Sequence, residues 1–196
     1  MAYQSDSMTM KKYVDALIPG KFYHIYNRAS GNEKLFIEQK NYGFFLDLFE
    51  ERMLEYVDLI CYCLIPNHFH FLVRTKQVQN VDSIEVNYAK KFGNFFASYA
   101  QSFNHLYHRK GNLFSQNFRR KLIEDTDYLR AVIIYIHRNP LKHGIVDDIT
   151  DWYHSSYHEY LNRDYRYCRN SEIMDWFGNM NIFKFCHNLD PESDIE

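Results

Sequence analysis

Apolar and polar positions alternate in two rhythms along this chain. Residues 21–28 (KFYHIYNR) alternate with period two and are rich in aromatics, which predicts a strand. Over 39–56, Tyr42, Phe45, Leu46, Phe49, Met53 and Leu54 recur at helical spacing. Residues 57–65 are β-branched and aromatic, and predict a second strand. Pro66-Asn67 is turn chemistry, and a third strand from His68 to about Thr75 completes a hairpin. A long helix is expected over about 83–107, on a stripe of Tyr88, Phe92, Phe95, Phe96, Tyr99, Phe103 and Leu106, with Gly111 as its C-terminal cap. A fourth strand follows at 118–124. Asp125 or Thr126 then caps a helix expected to stop at about Arg138, ahead of Asn139-Pro140.

Strand, helix, strand, strand, helix, strand is the split β-α-β order of a ferredoxin-like fold. The reading is therefore an α+β chain: a β-α-β-β-α-β core with an antiparallel sheet, plus one further helix and a C-terminal extension. We divide it into an arm (1–20), a core domain (21–160) and an extension (161–196). The arm holds at most one helical turn and ends in Pro19-Gly20. The extension reads as irregular chain with one small helix near 173–177.

Composition sharpens this picture in three places. A hydrophobic share of 46% and an aromatic share of 18% supply a packed core and exclude a disordered chain. The aromatics serve either as core or as stacking groups for bases; the long helix's stripe reads as core. The net charge of -2 argues against a general polyanion binder, but its distribution is uneven. Between Ile84 and Ile145 ten cations stand against four anions, while acid gathers at Glu50-Glu51 and in the tail after Asp190. That excess fits one basic face, or a solvated helix surface. Cys61, Cys63, Cys168 and Cys186 contain no Cys-x-x-Cys pair, and no secretory signal or membrane-length apolar run is read, so a reducing cytoplasmic setting is expected.

The candidate chemistry lies in the third strand. His68 and His70 are two apart, so their imidazoles project from one face. Such a pair is a start for a metal site, although a single strand histidine is commonly a surface or hydrogen-bonded residue. The further helix supplies Tyr135 and Asn139, four apart on one helical face. Laid across the sheet near the third strand, they would meet the two histidines. A divalent metal bound by two imidazoles and one amide oxygen keeps positions open for a phosphate oxygen. It would help a phenol, with a free pKa near ~10, to attack phosphorus. Taken alone, Tyr135 reads first as a packed helix residue. Arg119 and Lys121 share a strand face, either to touch phosphates or to protect an edge strand. Asn27 and Arg28 are placed to line a groove. His137 is expected at the surface, His24 reaches the site only if strand register allows, and Trp152 and Tyr157 read as packing.

Four ordered motifs carry a family resemblance: PNHFHFLV, GNLFSQNFRRKLIEDTDYL, YIHRNPLKHGIV and DWYHSSY. Together, over about 20–160, they resemble the HUH-type single-tyrosine transposases, and within them the group that includes the REP-associated tyrosine transposases. The resemblance implies that His68 and His70 bind Mg2+ or Mn2+, with Asn139 where relatives place a third ligand, sometimes a glutamine. It implies that Tyr135 is the nucleophile, cutting single-stranded DNA beside a hairpin to leave a 5′-phosphotyrosine and a free 3′-OH. Arg28, Arg119 and Lys121 would contact that DNA. A homodimer is possible by the same resemblance, since some relatives swap the tyrosine helix. Two rivals remain open: a non-catalytic nucleic-acid-binding module on this fold, and a rolling-circle initiator or relaxase-like enzyme.

Overall fold

The computed structural model describes residues 14–77, 86–115, 117–168 and 172–189. Its core runs β1 (Phe22–Arg28), α1 (Gln39–Met53), β2 (Val57–Ile65), β3 (His68–Thr75), α2 (Tyr88–Leu106), β4 (Arg119–Ile123) and α3 (Thr126–Lys142). The strands form one sheet in the order β2-β3-β1-β4, each neighbour antiparallel. This is the ferredoxin-like arrangement expected from the order of elements.

Register assigns the two faces. On one, Phe69 and Phe71 of β3 lie under α1 and α2. Phe45 meets Phe69 at 5.2 Å, Phe49 meets Phe71 at 4.8 Å, and Phe96 meets Phe69 at 5.3 Å between ring centroids. The rings are tilted, as aromatic pairs prefer, at about 0.5–1.5 kcal/mol per pair beyond area burial. Much of the aromatic surplus is thus core, including the α2 stripe, except that Leu106 at its end is exposed. The opposite face carries His24, Tyr26, His68 and His70, and α3 lies over part of it.

Two helix ends differ from the sequence expectation, and each has a local cause. The expected start of α2 at Ser83 falls outside the described residues; the described helix begins at Tyr88, where Asn87 caps the Lys90 amide. It ends at Leu106, and the left-handed residue that closes it is His108 (φ 51°); Gly111, also at positive φ (88°), lies three residues further on. The Arg109 amide then donates to the Asn104 carbonyl at 2.8 Å, closing a Schellman turn. Likewise α3 does not stop before Pro140 but runs to Lys142. Pro140 removes one amide, yet three donors close the carbonyls after it. His143 donates to Asn139 (3.1 Å), Gly144 to Leu141 (2.9 Å) and Ile145 to Pro140 (2.9 Å). Gly144, at φ 60°, supplies the left-handed residue that stops this helix.

The chain beyond α3 is more ordered than its sequence pattern indicates. Residues 154–156 add to the outer edge of β2: the Leu64 amide donates to His154 and the Ser156 amide to Tyr62. Trp152 donates its indole N–H to the Leu64 carbonyl, so it packs here, as does buried Tyr157. Helices α4 (Tyr157–Asn162), α5 (Ile173–Phe177) and α6 (Met180–Asn188) follow, where one small helix was expected. Short helices with few apolar periods give little sequence signal. Phe183 of α6 is fully buried against Tyr157, Tyr160 and Phe177.

His137 is not at the surface. It is 1% exposed on the back of α3, its Nδ1 2.8 Å from His187 Nε2 and its Nε2 2.8 Å from Ser156 Oγ. His187 Nδ1 in turn donates to the Phe183 carbonyl. The chain ties α3 to α6 and to the β2 edge, and supplies each ring nitrogen with a partner; an unmade buried bond would cost about 1–3 kcal/mol. No helix among the described residues is long and apolar enough to cross a membrane.

Burial holds both rings neutral. It pushes His187 down to about 4 and His137 well below its ordinary value, with each neighbouring imidazole adding to the His137 effect. In the unfolded chain both would titrate near ~6.5. The unfolded state therefore binds more protons between those values, and stability falls as pH drops from about 6.5 towards about 4, with no contribution above 6.5. The urea midpoint should be lower at pH 4.5 than at pH 7. In His187→Gln that difference should shrink; an unchanged slope would show that the pair does not carry the effect.

Candidate active site

Strand β3 presents His68 and His70 on one face, and α3 brings Asn139 to them. Asn139 Oδ1 lies 2.9 Å from His68 Nε2, although 71 residues separate the two in sequence. Asn139 is fully buried, and its Nδ2 has no hydrogen-bond partner among the described residues. On the other side of His68, Nδ1 lies 2.9 Å from Asn67 Oδ1. A neutral imidazole carries one hydrogen for these two oxygens. On Nε2 it makes the bond to Asn139; on Nδ1 it makes the bond to Asn67 and leaves the Nε2 lone pair free for a cation.

Burial makes the neutral form the resident one. It pushes His68 down to about 4, partly opposed by the bond to Asn139 and reinforced by His143 and Arg28. His70 is driven well below its usual range by burial first and then by His24. Neutral imidazoles are the form that binds metal. Asn139 Oδ1 and His68 Nε2, 2.9 Å apart, are oxygen and nitrogen donors that one divalent ion would take together. Among the described residues no group of three His, Cys, Asp or Glu forms a cluster that would hold an ion. The candidate donors here are the two imidazoles and the Asn139 amide oxygen.

Tyr135 sits one turn before Asn139. Its ring meets His70 edge-on at 5.6 Å and His24 at 6.0 Å, and the Lys142 ammonium lies 5.0 Å from its centroid. It is 5% exposed with a buried hydroxyl. The packing role considered for it in the sequence is present in the geometry, against His70 and His24. All of these contacts are made within one chain.

Beside the histidines opens a cavity of about 640 Å³, lined by Tyr26, Asn27, Arg28, Asn67, His68, His70, Ser115, Asn117, Arg119 and His143, with Gly31 at its rim. Arg28 and Arg119 thus reach the cavity wall from β1 and β4, on either side of Tyr26. Lys121 does not line it. It stands opposite His24 in register, with its ammonium 4.6 Å from the Tyr128 ring centroid.

Two neighbours, His143 and Asn67, were not legible as site residues, and His24 was legible only on condition of strand register. His143 ends α3 with its ring 4.5 Å from that of His68. Asn67 reads in sequence as turn chemistry only. His24 is fully buried beside His70, its Nε2 2.9 Å from His70 Nδ1. Strand alternation places His24 and Tyr26 on one face, but only the register of β1 on β3 brings that face over His70.

The structure has a ferredoxin-like sheet with His-x-His on its third strand, faced by a tyrosine-bearing helix, and the motifs resemble those of the HUH-type tyrosine transposases. Comparison with known proteins leads to the same group. Over 130 residues the chain is 29% identical to a Haemophilus influenzae protein named as a REP-associated tyrosine transposase, covering 64% of this chain and 69% of that one. A solved structure of a REP-associated tyrosine transposase bound to a REP hairpin matches with a TM-score of 0.59 at 21% identity, over 77% of this chain and 85% of that one. At that identity the match speaks for the fold. No family model matches the chain.

With a value of about 4, His68 should remain uncharged from pH 7 to pH 5, where a free imidazole would titrate. Its ring-proton NMR shifts should stay constant across that interval. A midpoint near 6.5 would mean that the site is open to solvent.

Proposed function

We propose that this protein is a metal-dependent single-stranded DNA endonuclease and strand transferase that cuts through a covalent tyrosine intermediate, in DNA transposition or a task derived from it. The observation that supports this most is the meeting of Asn139 Oδ1 with His68 Nε2, which sets the Tyr135 helix against the His-x-His strand. His68, His70 and Asn139 would hold a Mg2+ or Mn2+ ion. When bound, that ion would act as a Lewis acid on the scissile phosphate.

The chain's own residues define the rest. Arg28 and Arg119 flank the cavity and would position the sugar-phosphate backbone, with Asn117 and Ser115 offering neutral contacts. Tyr135 loses its phenolic proton and attacks phosphorus. The O–P bond to Tyr135 forms, the P–O3′ bond breaks, and O3′ leaves as a hydroxyl after taking up a proton. The 5′-phosphotyrosine conserves the bond energy, so the reverse attack by a new 3′-OH rejoins a strand without other input. The buried hydroxyl of Tyr135 means that DNA binding has to bring it to the cavity. The hairpin bound by the matched solved protein makes hairpin-flanked single strands the substrates to try first.

Incubation with a 5′-tailed hairpin oligonucleotide and Mn2+ should give a covalent adduct resistant to denaturation, lost with chelator. Tyr135→Phe should abolish the adduct while leaving binding intact. An adduct formed by that variant would remove Tyr135 from the reaction. Intact binding with no adduct under any condition would favour the non-catalytic DNA-binding module instead.

Arg28→Ala and Arg119→Ala should each weaken single-strand binding across sequences. Each should also lower the slope of log affinity against log salt by about 0.7 for every phosphate that is no longer neutralised. Lys121→Ala should have a smaller effect, because its ammonium is placed over Tyr128 away from the cavity. Equal losses for all three would move the DNA path further along β4.

A further inference from the structure

His24 is neither a candidate ligand nor part of the cavity wall, yet it is tied to the site by a direct bond. Its Nε2 lies 2.9 Å from His70 Nδ1, with the rings 26° from parallel at 5.2 Å. In register Tyr26 stands opposite His70 and His24 opposite Leu72, so His24 reaches His70 on the diagonal. The Tyr26 ring stacks on both, at 4.7 Å from His24 and 5.6 Å from His70. Three rings are thereby packed in one stack, and neither imidazole turns without displacing the others.

Two imidazole nitrogens at this distance share one hydrogen. If His24 donates it, the His70 Nδ1 lone pair is used, the neutral ring carries its own hydrogen on Nε2, and that nitrogen binds no metal. If His24 accepts, the hydrogen is on His70 Nδ1 and Nε2 keeps its lone pair. We propose that His24 is a positioning residue: it accepts the His70 Nδ1 hydrogen and so holds His70 in the tautomer and ring orientation that present Nε2 to a divalent ion. This rests on the metal-dependent reading above. Asn67 does the corresponding work for His68, with an amide oxygen that can only accept. Metal-bound histidines are commonly oriented by such an outer partner, ordinarily a carboxylate, a carbonyl or water. An imidazole in that place accepts in only one of its two tautomers, so here the two rings have to be set together. A side chain with an acceptor at the same point should serve in place of His24.

The test is Mn2+ affinity of the whole chain without DNA, read by calorimetry, for the unsubstituted protein, His24→Leu, His24→Gln and His68→Ala. Loss of an outer partner costs about 10–100-fold in metal affinity. His24→Leu, which keeps bulk but has no acceptor, should weaken Mn2+ binding by that factor. His24→Gln, whose amide oxygen can reach the position of Nε2, should recover most of it. Mn2+ binding by His24→Leu within threefold of the unsubstituted protein, while His68→Ala loses it, would overturn the role of His24 and leave the metal site standing. Equal binding by His68→Ala and the unsubstituted protein would overturn the metal reading, and this inference with it. If His24→Leu fails to fold, imidazole 15N NMR of the unsubstituted protein with Mg2+ decides. A hydrogen on His70 Nδ1 with a bare His24 Nε2 supports the assignment; a hydrogen on His24 Nε2 refutes it.

Discussion

The seating of α3 on the sheet is the contact on which the candidate site depends. One side of this helix delivers Tyr135 and Asn139 to the histidine strand, and Asn139 makes the 2.9 Å contact with His68 Nε2. The other side is held by His137, through His187 and Ser156. The two anchors lie two residues apart and face opposite ways. A helix fixed on both sides by buried polar pairs has little freedom to rotate, because a turn that breaks either bond leaves buried groups unmatched. The C-terminal helices therefore matter to the site even though they contribute none of its candidate ligands. Arg138 adds to this hold by donating to the His187 carbonyl at 2.7 Å.

The sheet divides the work between its faces. One is filled by phenylalanine rings under α1 and α2, which makes β1 and β3 rigid. The other keeps imidazoles, Tyr26 and arginine beside an open cavity. A rigid sheet is a suitable base for ligands, because strand side chains are placed more reproducibly than loop side chains. His68 and His70 sit two residues apart on such a strand, and each has an outer neighbour on its Nδ1, Asn67 and His24 respectively. Burial keeps these imidazoles neutral. It does so at the cost of leaving polar atoms such as Asn139 Nδ2 without a hydrogen-bond partner among the described residues.

Cations are arranged by the same sheet. Tyr26 on β1 is opposite Arg119, and Arg28 is opposite His68. Both arginines thus border the cavity from neighbouring strands, Arg119 coming from the basic stretch between Ile84 and Ile145 and Arg28 from outside it. Lys121, two residues further along the same face, is drawn to Tyr128 at the start of α3 instead.

By itself the sequence determined the order of the core elements and the sheet they form, and it singled out His68, His70 and Asn139 as candidate donors and Tyr135 as candidate nucleophile. Period-two and period-3.6 patterns are local, and four ordered motifs are dense in information. Helix ends were less legible. Pro140 read as a stop, but Gly144 and the donors after it decide that end, because a left-handed residue closes carbonyls that a proline only leaves open. What only the tertiary structure decided was which distant side chains meet. His137 looked like a surface residue on its own helix and became a buried anchor once α6 covered it. His24 was an alternating strand residue until the register of β1 on β3 set it against His70. Pairing across strands and helices is set by packing between segments far apart in the chain, and no local period records it.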